Sequence, residues 1–386
     1  MEIAIIRRKF NPFGGAERFI LRTIEGLKNH QIKVSIISES WESSKNHQLI
    51  DATSQSIPVA VKGQTRFTQL KSFQNSVSAT LKTHSFDLVQ SHERLLGADI
   101  YRLGDGIHSS WLKRFAQHKP WHQKLWLKLD PFHRLIIATE KRMAQDKKLI
   151  FVANSPLVKQ ELIDWYQVPK ERIVIIENGI NTQEFTPATP AEKNNYKTSL
   201  NLSTKQPLVL FVGSGFERKG AFHLVEAMAG IDGFQAIIVG HDKRLKQLKD
   251  LCHILRLDSR VHIVGPKDDV KPYLKAADIF CLPSIYDSLP NALLEALCSG
   301  LPVVISDGVG IADKVVQHGA GVVCEINAKS IGSGILHAWN NQEEYSKNAL
   351  RLSKEFDIQI KSEAWLKLYN QIIQKKKSSS HAHSSY

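Results

Sequence analysis

Short apolar runs alternate with amphipathic stretches from the first residues of the chain onward. Glu2–Ile6 reads as a buried strand, Ala16–Asn29 as an amphipathic helix and Ile32–Ser38 as a second strand. Asp87–Ser91, Lys148–Asn154 and Arg172–Glu177 add strands between helical patterns, an order that predicts a parallel sheet covered by helices. Residues 186–207, rich in Thr, Pro, Asn and Lys, lack a periodic apolar pattern and read as an interdomain linker. The alternation then resumes. Strands at Leu208–Gly213, Gln235–Gly240, Val261–Val264, Ile279–Leu282 and Pro302–Ser306 interleave with helices at Ala221–Ala229, Leu245–Leu255 and Pro290–Cys298. Val315–Ala338 and Glu343–Gln374 read as helices, the second long enough to cross back onto the first domain.

The expected fold class is α/β, with two Rossmann-like, doubly wound parallel sheets. The expected domains are 1–190 and 191–355, followed by a crossing helix at 356–374 and a tail at 375–386 whose Lys and Ser runs predict disorder or an appended sequence. A length of 386 residues fits two domains of ~150 to 200 residues each. No apolar run approaches the ~18 to 20 residues of a membrane-spanning helix, and Met1–Ile6 is too short for a signal-peptide core. The four cysteines show no Cys-x-x-Cys spacing and sit in apolar segments, which predicts core residues in a reducing cytoplasm.

Charge changes the picture in one respect. Of the net +13, residues 1–170 hold +11, a field that draws nucleic acid, anionic lipid or a phosphorylated glycolipid.

Two segments carry the chemistry. In Phe211–Gly220 a strand ends in Gly213 and Gly215, and Arg218 and Lys219 precede a helix. Glycines let a backbone approach a ligand, and two cations beside helix amides suit a diphosphate. The third glycine of a dinucleotide fingerprint and the Gly-Lys-Ser/Thr of a P-loop are both missing. A tight turn with a solvated Arg–Lys pair accounts for the same residues. In Ser284–Gly300, Pro290 suits a first helical turn, Ser288 lies close to the N-cap position and Gly300 suits a C-terminal cap. Asp287 then precedes the helix, and Glu295 stands roughly 7 Å up it in an otherwise apolar context. Sugar hydroxyls are natural partners for such a carboxylate, whereas a Glu at a helix edge is the plainer account.

These two segments resemble the signature of the retaining glycosyltransferases of family 4, which have the GT-B fold of two facing Rossmann-like domains. Residue by residue, the resemblance implies that Arg218 and Lys219 meet the donor diphosphate, Asp287 the donor sugar and Glu295 the ribose. Gly213, Gly215, Leu289, Pro290, Asn291 and Ala292 are implied as further donor contacts. Asp287 departs from the usual Glu by one carbon. Asn154–Ser155 through Glu177–Asn181 to Phe185–Pro187 is similar to the family's interdomain approach, and Asn11–Arg18 to its glycine loop, with Gly14 on the acceptor side and Gly15 facing both substrates. Asp99–His108 followed by Trp111–Leu112 resembles the subgroup that glucosylates the inner-core heptose of lipopolysaccharide. Asp105 is the candidate acceptor-side acid and His92 a second acceptor-side candidate; a turn Asp and a loop His are the alternatives.

From His108 to Arg134, Lys113, Arg114, Lys119, Lys124, Lys128 and Arg134 interleave with Trp111, Phe115, Trp121, Trp126 and Phe132, against Asp130 alone. Aromatics beside cations suit an anionic membrane surface, and a basic helical hairpin packed on the domain is the alternative. No zinc-finger, helix-turn-helix or RNA-binding signature supports a nucleic-acid partner. No Asp-x-Asp occurs, so neither metal nor other cofactor is expected.

The expected function is retaining transfer of a hexose, glucose from UDP-glucose first, to a lipopolysaccharide-core sugar such as heptose. Asp105, Arg218, Lys219 and Asp287 are the expected catalytic set. The expected enzyme is cytoplasmic and peripheral to the inner face of the cytoplasmic membrane. Two alternatives remain at this stage: a family 4 transferase moving another hexose or an N-acetylhexosamine to a different lipid-linked or capsular acceptor, and a nucleotide- or membrane-binding module without turnover.

Overall fold

A computed structural model describes residues 1–9, 20, 32–40, 54–117 and 119–383. The chain divides into two compact units. One comprises Met1–Gly179 with Ile358–Tyr386, the other Ile180–Asp357.

The first unit holds a seven-stranded parallel sheet of β1 (Glu2–Ile6), β2 (Lys33–Ser38), β3 (Ser54–Pro58), β4 (Leu88–Ser91), β5 (Ile100–Leu103), β6 (Ile150–Ala153) and β7 (Ile173–Ile175), in the order β3-β2-β1-β4-β5-β6-β7. Strand alternation sends Leu88, Ile100 and Val152 to one face, where they pack with Trp365, Leu368 and Tyr369 of the C-terminal helix Ile358–His383. Val89, Tyr101, Phe151 and Ala153 go to the other face and pack with Phe73 and Val77 of the helix Arg66–Thr83.

The second unit holds a six-stranded parallel sheet of β8 (Leu208–Val212), β9 (Gln235–Val239), β10 (Val261–Gly265), β11 (Ile279–Leu282), β12 (Val303–Ser306) and β13 (Gly321–Cys324), in the order β10-β9-β8-β11-β12-β13. Its central strands are buried on both faces, as apolar runs without alternation require. All four cysteines are buried and free. Strand order reverses between β1 and β4 in one unit and between β8 and β11 in the other, and the crevice beyond such a reversal is where open α/β sheets take ligands.

Several expected boundaries differ. The first crossing lies at Gly179–Ile180 rather than near 190, and the second at Asp357–Ile358, two residues past the expected position. The expected linker at 186–207 contains the helix Pro190–Ser199, because Thr189 and Glu192 form a reciprocal capping box. Its Lys193 and Lys197 bind Asp278 Oδ1 and Oδ2, each at 2.7 Å, and Asp278 Oδ2 also accepts the Leu208 amide at the start of β8. Val315–Ala338 is not one helix. Gly319 turns left-handed at φ 60°, and a Cβ at Gly321 would stand 2.0 Å from Val303 O, so this stretch becomes β13 between helices Ala312–Gln317 and Ala328–Asn340. Glu343–Gln374 breaks after Ser353, where Phe356 O accepts the Ile180 amide. With no Gly or Pro to stop it, the last helix runs on through Lys375 to His383, where a disordered tail was expected. Among the described residues, β3 and β5 are strands that the apolar pattern did not mark. Of the predicted helix Ala16–Asn29 only Ile20 is described; Gly14 and Gly15 lie outside the described residues.

Asp278 sits deep enough that burial alone raises its pKa, yet the two lysines hold it below the usual carboxylate range. Its contribution to stability is therefore present at neutral pH and is lost as the pH falls through that lowered value. Asp278→Ala, which strands the buried Lys197, is expected to cost about 3–5 kcal/mol in chemical denaturation at pH 7. A loss below ~1 kcal/mol would show that Lys193 and Lys197 do not depend on it.

Candidate active site

In the second unit the loop after β8 is built for close approach. Gly215 and Gly220 both take φ of 81°, flanking the single turn Phe216–Lys219. A Cβ at Gly220 would stand 2.2 Å from Pro283 O, so the β8 loop lies directly against the end of β11. A Cβ at Gly213 would stand 2.4 Å from Lys219 Cδ, and one at Gly240, after β9, 2.1 Å from Gly213 O. Asp242, just beyond Gly240, accepts the Phe216 amide at 2.8 Å.

This approach joins the two motif segments. Arg218 O accepts the Ile285 amide at 2.8 Å, and Arg218 Nη1 donates to Tyr286 O at 2.9 Å. Lys219 Nζ stands 3.1 Å and Arg218 Nη1 3.5 Å from Asp287 Oδ2. The backbone of Asp287 is pinned by Gly308 O and the Gly310 amide, both at 2.9 Å. Burial alone raises the Asp287 pKa, but Lys219 and Arg218 outweigh it and hold the carboxyl below its ordinary range, so it is an anion at neutral pH. The helix after it runs Asn291–Cys298, with Pro290 at the N-cap and Ser288 two residues further out; Gly300 follows the last turn at φ 69°. Leu289 and Pro290 are buried, Asn291 and Ala292 half-buried, and Glu295 is 2% exposed.

In the first unit, His92 follows β4 and Asp105 follows the neighbouring β5, both at the ligand-side edge of the sheet. Asp105 is exposed on the Gly104–Gly106 turn, which is held by Asn154 Nδ2 on Gly104 O and Arg94 Nη2 on Gly106 O. Sequence reasoning passed over Arg102, one of the largest fully buried side chains. Its Nη2 donates to Asn178 Oδ1 at 2.5 Å, and burial lowers its pKa to about 9 although Asp105 pulls the other way. The signal was the polar residue inside the apolar run Ile100–Leu103. Among the described residues, no three His, Cys, Asp or Glu converge as a metal site.

The basic aromatic segment forms the helices His108–Gln117 and Trp121–Leu129 and opens Pro131–Gln145. The middle helix has no buried residue; Trp121 and Trp126 are 78% and 75% exposed, with Leu125 and Leu129 also in solvent. Among the described residues, no helix is long and apolar enough to cross a membrane.

Two parallel α/β units of seven and six strands define the GT-B class, and the chain superposes on the crystal structure of WaaG, a glycosyltransferase involved in lipopolysaccharide biosynthesis, with a TM-score of 0.80 at 24% identity over 96% of this chain and 99% of that one. Residues 13–184 match the model of Glycosyltransferase Family 4 and residues 192–354 that of Glycosyl transferases group 1. The chain belongs to this glycosyltransferase family and is an enzyme of that kind. It is 27% identical to the lipopolysaccharide glucosyltransferase WaaG of Escherichia coli K12 over 84% of this chain and 85% of that protein. It is 26% identical to an Escherichia coli UDP-Gal:alpha-D-GlcNAc-diphosphoundecaprenol alpha-1,3-galactosyltransferase over 81% of each.

Gly220→Ala forces a side chain into a left-handed backbone against Pro283 O. It is expected to destabilise the second unit by about 1–3 kcal/mol, read as a lowered calorimetric midpoint. An unchanged midpoint would contradict the close approach.

Proposed function

We propose that this glycosyltransferase moves a hexose, glucose from UDP-glucose, with retention of configuration onto a heptose or related sugar of a lipopolysaccharide core. The observation that carries this reading is the convergence of Arg218, Lys219 and Asp287 at the strand reversal of the second unit. The similarity to WaaG supports the choice of donor and acceptor.

In this mechanism the bond between the sugar's anomeric carbon and the β-phosphate oxygen breaks, and Lys219 and Arg218 neutralise the charge that grows on the departing diphosphate. Asp287, displaced from the cations by the diphosphate, turns its carboxylate to the donor sugar. Glu295 takes the ribose hydroxyls, and Gly213, Gly215 and Leu289–Ala292 offer backbone or amide contacts. The acceptor hydroxyl attacks from the face the diphosphate leaves, and its proton passes to the leaving phosphate oxygen. Asp105, His92 and Gly14 orient the acceptor. Cations in this position do the work of a metal clamp, so transfer proceeds in chelator.

The exposed Trp121, Leu125, Trp126 and Leu129 beside Lys124 and Lys128 suit the headgroup region of an anionic bilayer. They support a peripheral enzyme on the inner face of the cytoplasmic membrane, where a lipid-borne acceptor would meet it.

Purified protein with deacylated lipopolysaccharide core and a panel of nucleotide sugars is expected to release UDP from UDP-glucose. Lys219→Ala and Glu295→Ala should each lower that rate by more than about tenfold. Release from UDP-galactose or a UDP-N-acetylhexosamine alone would reassign the donor, and no turnover with any donor would end the reading. Sedimentation with anionic liposomes should fall with salt and with Trp121→Ala combined with Lys124→Glu, and should be unchanged in Lys219→Ala. Salt-independent or absent binding of the unmodified protein removes the membrane contact.

A further inference from the structure

Asp105, an exposed acid of the first unit, sits on a turn between two glycines, and a backbone so lightly restrained needs outside support to stay in one place. Three bonds supply it. Asn154 Nδ2 donates to Gly104 O at 3.3 Å, Arg94 Nη2 donates to Gly106 O at 3.0 Å, and the His108 amide, at the start of the helix His108–Gln117, donates to Glu140 Oε1 at 3.0 Å. Glu140, on the helix Pro131–Gln145, governs two of the three, because its Oε1 also accepts Arg94 Nε at 2.7 Å. Its Oε2 accepts the Tyr166 hydroxyl at 2.7 Å. Glu140 is 4% exposed, a placement that only partners on both oxygens make tolerable.

The same arrangement leaves Asp105 open. Among the described residues nothing is hydrogen-bonded or ion-paired to its carboxyl, although Arg94 reaches the carbonyl of the very next residue. Two arginines feel its charge. Burial works against the Arg94 charge, but the neighbouring acids Tyr101, Glu140 and Asp105 outweigh it and hold the Arg94 pKa above its ordinary value. Asp105 likewise opposes the burial that lowers Arg102. Each guanidinium is directed elsewhere, Arg94 to Glu140 and Arg102 to Asn178 Oδ1.

We propose that Glu140 is a positioning residue for the sugar acceptor: by drawing the Arg94 guanidinium to itself it fixes the Asp105 turn and keeps that cation off the Asp105 carboxylate, which stays open to sugar hydroxyls. This rests on the acceptor-side reading of Asp105 given above. A carboxylate only accepts, so an open one takes the protons of two sugar hydroxyls, whereas a guanidinium fork would fill both of its oxygens.

The test pairs a structure with kinetics. In a crystal structure of Glu140→Gln grown without substrate, Arg94 is expected within about 3 Å of an Asp105 carboxyl oxygen; an Arg94 that has not moved overturns the proposal. With deacylated lipopolysaccharide core and UDP-glucose, Glu140→Gln should raise the acceptor KM roughly three- to tenfold and leave the donor KM unchanged. Adding Arg94→Met to Glu140→Gln removes the cation that closes Asp105 and should bring the acceptor KM part of the way back, which a simple loss of packing would not do. An acceptor KM unaltered in Glu140→Gln, or raised equally with and without Arg94→Met, overturns the proposal. Glu140→Asp keeps the charge one carbon short and should raise the acceptor KM about two- to threefold; if Glu140→Gln does not fold, an unchanged value in Glu140→Asp overturns the proposal. Asp105→Asn separates the two readings. If it leaves the acceptor KM unchanged, or if the unmodified protein transfers nothing, the acceptor-side reading fails, and the crystal structure still decides whether Glu140 restrains Arg94.

Discussion

The placement of Lys219 across Gly213 is the constraint on which the second unit's site depends. The lysine's aliphatic chain occupies the space any larger residue at 213 would need, and Gly240 extends the same close approach to the end of β9. The ends of three adjacent parallel strands therefore meet around this loop, and the Lys219 ammonium is 13% exposed and paired with an equally sheltered Asp287. A cation held in so little water binds an incoming anion more strongly than a solvated one. Asp287 is the anion that Lys219 holds, and its depressed pKa keeps it a carboxylate at neutral pH.

The two units solve different problems with one topology. In the second, the buried charged residues are Lys197 and Asp278, at the start of β8 and β11, and Glu295, on the helix that follows the β11 loop. The first carries buried polar groups at the ends of β4 and β5 and presents, on the helix Trp121–Leu129, large apolar side chains to solvent. Among the described residues, the candidate ligand groups of the first unit follow β4 and β5 and those of the second follow β8 and β11.

What the sequence made legible follows from the range of each interaction. Continuous apolar runs such as Leu208–Val212 and Ile279–Leu282 are read locally and marked the second sheet; Arg218 and Lys219 stand out beside glycines after the first run, and Asp287 stands out in the loop ahead of a helix with recognisable end signals. The helix Pro190–Ser199 escaped notice because it is polar and is held by Asp278, some eighty residues away. β13 was hidden inside a helical pattern that Gly319 and Gly321 break only by their backbone geometry. Arg102 bonds Asn178, 76 residues on, and Gln90 accepts from Tyr369, 279 residues on, partners that no local pattern reveals. The substitution of Asp287 for the family's Glu was visible, but its pairing with both cations was not.

The central claim is that the corner formed by the β8 and β11 loops is a diphosphate site. A crystal structure of the chain grown with UDP tests it most directly. The account predicts the β-phosphate within about 3 Å of Lys219 Nζ, with Asp287 released from the lysine and the ribose hydroxyls on Glu295. UDP bound elsewhere, or bound with the Lys219–Asp287 pair intact, would contradict it.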